Sequence, residues 1–123
     1  MEILNVYLEE LLEVFSVTYK RKNKILFYTG IRLNGDDIRF ELYLKNGKII
    51  LSDGGQVFKY YIKHKDCSED FYNDFHYIIS NKKINTVAEK LEVDLESYEN
   101  NIFKAICVLQ TVIVAIEKTP YNL

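Results

Sequence analysis

The fold is decided by residues 31–55, IRLNGDDIRFELYLKNGKIILSDGG. Two Asn-Gly dipeptides, Asn34-Gly35 and Asn46-Gly47, divide this stretch into segments in which apolar and polar residues alternate. Asn and Gly both tolerate the positive φ angles of a type I′ turn, and such a turn joins two antiparallel strands through two residues. The stretch therefore predicts two consecutive β-hairpins that share their middle strand.

Both turns place one apolar set of side chains on a common face of the predicted sheet. Side chains alternate between the two faces of a strand, so a shift of one residue would move the whole set to the wrong face. The set comprises Ile25, Phe27, Thr29, Ile31, Ile38, Phe40, Leu42, Leu44, Ile49 and Leu51. The predicted opposite pairs include Leu33 with Asp36, Phe27 with Leu42 and Ile25 with Leu44 in the first hairpin, and Leu42 with Leu51 in the second.

The other face of the predicted sheet is mostly polar. Its members are Leu26, Tyr28, Arg32, Asp37, Arg39, Glu41, Tyr43, Lys45, Lys48 and Ile50. The cluster of Leu26, Tyr43 and Ile50 on this face has two interpretations, ordinary cross-strand packing and a partner site. If this face binds a partner, we expect Tyr28, Arg39 and Tyr43 to contact it.

Helical periodicity predicts several helices around the sheet. Residues 2–15 are expected to form a helix that shares one apolar face, followed by a polar connection at residues 20–24. Shorter helices are expected after Gly55 to about His64 and from Ser68 to about Asn81, and a long apolar helix is expected from Ser97 onward. The apolar face of the first helix comprises Leu4, Leu8, Leu11, Leu12 and Phe15.

Residues 82–96 fit two interpretations, a helical turn near Thr86 or a further strand near Val93. The sequence as a whole predicts a single α+β domain over residues 1–123. Its core is an antiparallel meander of three to four strands, packed against an N-terminal helix and a long apolar C-terminal helix.

Composition excludes several classes of protein. Hydrophobic residues make up 48% of the 123 residues, which argues against disorder, and no apolar window approaches the roughly 18 residues that span a bilayer. The two cysteines, Cys67 and Cys107, have no disulfide-framework spacing, and the first residues lack the pattern of a signal peptide. We expect a cytoplasmic protein without a membrane segment or a cofactor. Its oligomeric state stays open.

The Ser52-Asp53-Gly54-Gly55 stretch has three chemical interpretations: a phosphate cradle, a metal carboxylate or a helix cap. The phosphate-binding glycine patterns require further glycines or a following lysine, and neither is present. A cap requires only that Asp53 accept hydrogen bonds from the first helical turn while a glycine adopts a positive φ. We therefore favour a structural cap formed by Asp53, Gly54 and Gly55, and we expect no bound metal.

Two metal sites are conceivable, and both fit poorly. A nuclease-like site would draw on Asp37, Glu41, Lys45 and Asp53, but the acid and lysine are not two residues apart and Asp53 points away from Glu41 in the predicted register. A zinc site would draw on His64, Cys67 and His76, whose spacing matches no established zinc finger.

Charge is distributed unevenly along the chain. Residues 18–65 are basic and residues 66–101 are acidic, although the net charge is only −2. The basic segment suggests nucleic-acid binding as an alternative function, and the acidic segment offers Glu69 and Asp70 to a protein partner. The candidate nucleic-acid contacts are Lys20, Arg21, Lys22, Lys24 and Arg39.

Several short motifs together resemble a bacterial and prophage family known as domain of unknown function 1828. The motifs are Gly35-Asp36 before an alternating strand, Leu51-Ser52-Asp53 with Gly55 before a helix, and the apolar helix near the C-terminus. Where family strands commonly have Thr-Pro, this chain has Thr29-Gly30. The resemblance implies an α+β fold and a setting in bacterial chromosomes, phages and mobile elements, and it implies no activity.

Together these observations predict a non-catalytic module that binds a protein partner. The resemblance extends this prediction to a phage or mobile-element inhibitor of bacterial defence. The alternative is a nucleic-acid-binding accessory protein, and a metal-dependent enzyme that uses Asp53 is a distant third.

Overall fold

The computed structural model describes residues 4–21, 23–33, 35–64, 69–80, 82–87 and 89–118, without the side chains of residues 61–72, 74 and 75. These residues form four α-helices, six β-strands and one short 3-10 helix. In chain order the elements are α1 (Asn5–Val14), β1 (Ser16–Arg21), β2 (Lys24–Leu33), β3 (Asp36–Lys45), β4 (Lys48–Ser52), α2 (Gln56–His64), α3 (Glu69–Ser80), β5 (Ile84–Val87), β6 (Lys90–Asp94), the 3-10 helix (Leu95–Tyr98) and α4 (Ile102–Lys118).

All six strands join one antiparallel sheet in the order β1-β2-β3-β4-β6-β5. The predicted α+β class is confirmed, with more strands than the three to four expected. Residues 82–96 contribute two of them, β5 and β6, which resolves the open alternative in favour of strands. The other additional strand is β1, whose mostly exposed residues lack the apolar alternation that marks a half-buried strand.

The second hairpin has the predicted register, and the first hairpin departs from it within the strands. Leu33 lies opposite Asp36 and Leu42 lies opposite Leu51, as two-residue turns require. Beyond Arg32, however, three residues of β2 face a single residue of β3, so the predicted pairs of Phe27 with Leu42 and Ile25 with Leu44 are wrong. The observed pairs are Phe27 with Phe40 and Ile25 with Leu42.

A bulge centred on Gly30 causes this displacement. Gly30 has a φ of 91°, a conformation that residues with a Cβ rarely adopt. Because the bulge displaces the pairing by two residues, the predicted apolar set keeps its face of the sheet. Ile25, Phe27, Phe40, Leu42 and Leu51 are accordingly buried in the core.

The helices bury their apolar side chains against this core face. Leu4 and Leu11 enter the core from the first helical segment, Val57 enters from α2, and Ile79 enters from α3. The prediction that Leu12 shares this face is wrong, since Leu12 is 56% exposed. Consecutive residues of a helix point about 100° apart, so Leu12 turns toward solvent when Leu11 points inward.

The long apolar helix α4 supplies the largest helical share of the core. Its buried residues are Ile102, Ala105, Ile106, Leu109, Val112, Ile113 and Ile116. The helix begins later than the predicted Ser97, because Glu99 and Asn100 adopt positive φ angles after the 3-10 helix. Asn101 then accepts a hydrogen bond from the Lys104 amide and starts the new helix. None of the described helices is long and apolar enough to cross a membrane.

Candidate functional site

A cluster of buried polar residues marks one place on the sheet. Among the described residues, the buried polar or charged ones are Glu41, Ser52, Asp53 and Glu92, and all four lie where β3, β4 and β6 adjoin. Polar and acidic side chains are rarely buried unless other groups pair with them. Their concentration at one place identifies the candidate site.

Glu41, Ser52 and Glu92 form a row across three neighbouring strands. Glu41 lies opposite Ser52, and Ser52 lies opposite Glu92. The row belongs to the face of the sheet opposite the core, because side chains on each strand alternate between the two faces. We call this face the polar face, and its members include Lys24, Leu26, Tyr28, Arg39, Glu41, Tyr43, Lys45, Lys48, Ile50, Ser52, Lys90, Glu92 and Asp94.

Each buried glutamate of the row is paired with a lysine. Lys24 Nζ lies 3.3 Å from Glu41 Oε1, and Lys45 Nζ lies 3.1 Å from Glu92 Oε1. Both glutamate side chains are 8% exposed, whereas the lysines are 46% and 40% exposed. The carboxylates thus lie beneath the lysines and hold the ammonium groups in position at the surface.

Tyr43 lies beside both carboxylates. Its hydroxyl donates a hydrogen bond to Glu92 Oε2. Burial raises the pKa of the Tyr43 hydroxyl, and the hydrogen bond to Glu92 and the negative charges of Glu92 and Glu41 raise it further. Tyr43 is therefore a neutral hydrogen-bond donor at physiological pH.

These residues line a cavity on the polar face. The cavity has a volume of about 470 Å³, and its lining includes Lys24, Lys45, Lys90, Glu41, Tyr43 and Glu92. We call it the lysine pocket. Its size lies within the range of pockets that bind ligands or anchor side chains, and it combines convergent polar groups with a perturbed tyrosine.

Asp53 makes three hydrogen bonds with main-chain amides. Its carboxylate accepts from the amides of Gly55 at 2.9 Å, Val57 at 2.9 Å and Leu91 at 3.0 Å. It thereby caps the start of α2 and attaches that helix to β6. Burial raises the pKa of the Asp53 carboxyl, and the three amide donors offset part of that rise.

The two glycines after Asp53 provide the space beneath the lysine pocket. A Cβ at Gly54 would lie 2.4 Å from Glu41 Oε2, so the carboxylate occupies space that only glycine leaves free. A Cβ at Gly55 would lie 3.7 Å from Lys90 Cγ, so the aliphatic part of Lys90 packs along this residue. Both glycines have positive φ angles, 68° and 86°.

The predicted partner-binding residues of the sheet share the polar face. Tyr28 lies directly opposite Arg39, and Arg39 is exposed. The Arg39 main chain is held by Gln56, whose side-chain amide accepts from the Arg39 amide at 3.1 Å and donates to its carbonyl at 2.6 Å. Tyr43 is half-buried, and its hydroxyl already donates a hydrogen bond to Glu92.

The candidate nucleic-acid residues are divided between the two faces. Arg21 lies opposite Lys24 on the polar side, whereas Lys20 lies opposite the buried Ile25 on the core side of the edge strand. The charge of Lys24 is compensated by Glu41. Lys22 lies outside the described residues.

The remaining predicted sites fall partly outside the described residues. Glu69 and Asp70 occupy the first turn of α3, but their side chains are not described. The same holds for the His64 side chain and for all of Cys67, whereas His76 is exposed. Within the described part of the chain, no group of three His, Cys, Asp or Glu residues is placed to hold a metal ion.

Sequence reasoning did not identify Ser52, Lys90 and Glu92 as members of a polar cluster. Lys90 and Glu92 lie in the segment whose secondary structure was ambiguous, so their faces were unassigned. Their spacing of two residues was the available signal, since it places both side chains on one face of a strand.

Comparisons with known proteins give no match to this chain among family models, curated proteins or solved structures. The resemblance to domain of unknown function 1828 therefore stays a prediction.

Proposed function

We propose that this protein is a non-catalytic binding module that engages a protein partner stoichiometrically through the polar face of its sheet. The observation that carries the proposal is that two buried glutamates, Glu41 and Glu92, line the lysine pocket and hold lysines at its surface. Burying a carboxylate costs free energy that pairing with a lysine offsets only in part, so these ion pairs are weak evidence for a role in stability. They hold ammonium groups at the surface, where a partner can contact them.

The state of the carboxylates supports binding over catalysis. Glu41 and Glu92 are buried, and both are engaged by lysines. A general acid or base must exchange a proton with a substrate, whereas the oxygens of these carboxylates are already engaged by Lys24, by Lys45 and by the Tyr43 hydroxyl. The lysines and Tyr43 are instead held ready to contact a partner, because preorganised groups lose little entropy on binding.

The test is capture of the partner with matched charge reversals. Arg39→Glu reverses the charge of an exposed residue on the polar face. Lys104→Glu is the control, because it reverses the charge of an exposed residue on α4, whose Nζ lies 3.6 Å from Oε2 of the exposed Glu99. Immobilised protein is incubated with bacterial lysate, and complex stoichiometry is measured by light scattering. We expect Arg39→Glu to release a defined partner that Lys104→Glu retains.

A partner that both variants retain equally would contradict use of the polar face. Recovery of nucleic acid, with an affinity that falls steeply with added salt, would support the alternative function instead. The anti-defence role stays a prediction from the resemblance, and the identity of the captured partner tests it.

A further inference from the structure

We infer that the lysine pocket holds a single carboxylate from an aspartate or glutamate side chain of the protein partner, with Lys90 as its counter-ion. This inference rests on the proposed function, because it specifies the chemistry of the partner group that the polar face recognises.

The charges around the pocket support a monoanionic ligand. Lys24 is neutralised by Glu41, and Lys45 is neutralised by Glu92. Tyr43 keeps its proton and adds no charge. Lys90 takes part in none of the ion pairs among the described residues, so the pocket has one uncompensated positive charge.

Lys90 is held where a ligand can reach it. Its side chain is half-buried, its stem packs along Gly55, and it is the first residue of β6, opposite Val87 of β5. A partly desolvated ammonium group binds a carboxylate more strongly than a fully solvated one, since less water must be displaced and screening is weaker.

The surroundings disfavour other ligands. A phosphate dianion would bring two charges above the buried Glu41 and Glu92, and the pocket lining contains no arginine to bind it in bidentate fashion. A cation would meet three ammonium groups at the rim. The volume of about 470 Å³ exceeds that of a carboxylate alone and leaves room for the side chain that carries it.

The experiment is an NMR titration of the ¹⁵N-labelled protein with N-acetyl-glutamate N′-methylamide. The glutamine analogue serves as the neutral control, and inorganic phosphate serves as the competing anion. We expect saturable shifts of amide signals around Lys90 and Glu92 with the glutamate probe alone. Lys90→Met should weaken the affinity about tenfold, and Lys90→Arg should retain it.

Lys82→Met is the matched control, because Lys82 is an exposed lysine outside the pocket lining. It should leave the affinity unchanged. Equal binding of the glutamine analogue, tighter binding of phosphate, or full binding by Lys90→Met would each overturn the inference. Circular dichroism of Lys90→Met and Lys90→Arg checks that both variants fold.

The outcomes also separate this inference from the proposed function. If the glutamate probe does not bind while Arg39→Glu still releases a protein partner, the carboxylate pocket is refuted and the binding module stands. If the probe binds and no protein partner exists, the protein source of the carboxylate is refuted together with the proposed function.

Discussion

Gly54→Ala tests whether the glycine pair exists to accommodate the pocket. The new Cβ would lie 2.4 Å from Glu41 Oε2, in a position whose φ is 68°. Gly47→Ala provides the comparison, because Gly47 has a φ of 78° and a Cβ there would meet nothing within 4 Å. Both variants share the cost of an alanine at positive φ, roughly 1–2 kcal/mol. Only Gly54→Ala must also displace a buried carboxylate.

Displacing packed groups typically destabilises a folded protein by about 1–3 kcal/mol. We therefore expect the free energy of unfolding to fall by about 1–3 kcal/mol more in Gly54→Ala than in Gly47→Ala, as measured by urea denaturation. Glu41→Ala removes the clashing carboxylate, so the double variant Glu41→Ala/Gly54→Ala should be less destabilised than the sum of its single variants. Equal losses in the two glycine variants, or strict additivity in the cycle, would refute the reasoning.

Three further predictions concern the cap, the tyrosine and the first helix. Asp53→Ala leaves three main-chain amides without their acceptor and should lower the free energy of unfolding by at least about 3 kcal/mol in urea denaturation, whereas a loss below 1 kcal/mol would contradict the cap. Because the folded pKa of Tyr43 is raised above 10.0, its contribution to stability is complete below that pH and declines as the pH rises further. In Tyr43→Phe the free energy of unfolding should therefore fall less steeply between about pH 9 and 11 than in the unaltered protein. An unchanged slope would argue against a raised pKa of the Tyr43 hydroxyl. Leu11→Ala should lower the free energy of unfolding by about 2–5 kcal/mol and Leu12→Ala by less than about 0.5 kcal/mol, since these residues are 0% and 56% exposed. If thermal unfolding shows Leu12→Ala to be the more destabilising variant, the described orientation of α1 is wrong.

The polar cluster illustrates what local patterns do and do not establish. Glu41, Tyr43 and Lys45 were assignable to one face of β3, because they alternate with the apolar Leu42 and Leu44 beside a strong turn signal. Their partner Glu92 was not identifiable, since its contacts with Tyr43 and Lys45 join residues 49 and 47 positions apart. No local propensity specifies which distant strand will pair with β4.

The Gly30 bulge shows the same limit within a hairpin. The turn residues correctly set the pairing next to the loop, and the alternation of side chains correctly set the buried face. A displacement by two residues satisfies both requirements equally well, so neither signal excludes it. In the observed register Phe27 lies opposite Phe40, and their ring centroids are 5.8 Å apart in an edge-to-face arrangement.

Turn chemistry and side-chain alternation were sufficient to establish the hairpins, the buried face and the cap position of Asp53, because each depends on residues close together in the chain. The lysine pocket required the folded chain. Its carboxylates and lysines come from β2, β3 and β6, the glycines beneath it come from the turn before α2, and all of them converge only after β6 has paired with β4. Packing and electrostatic contacts between distant residues, which no single stretch encodes, brought them together.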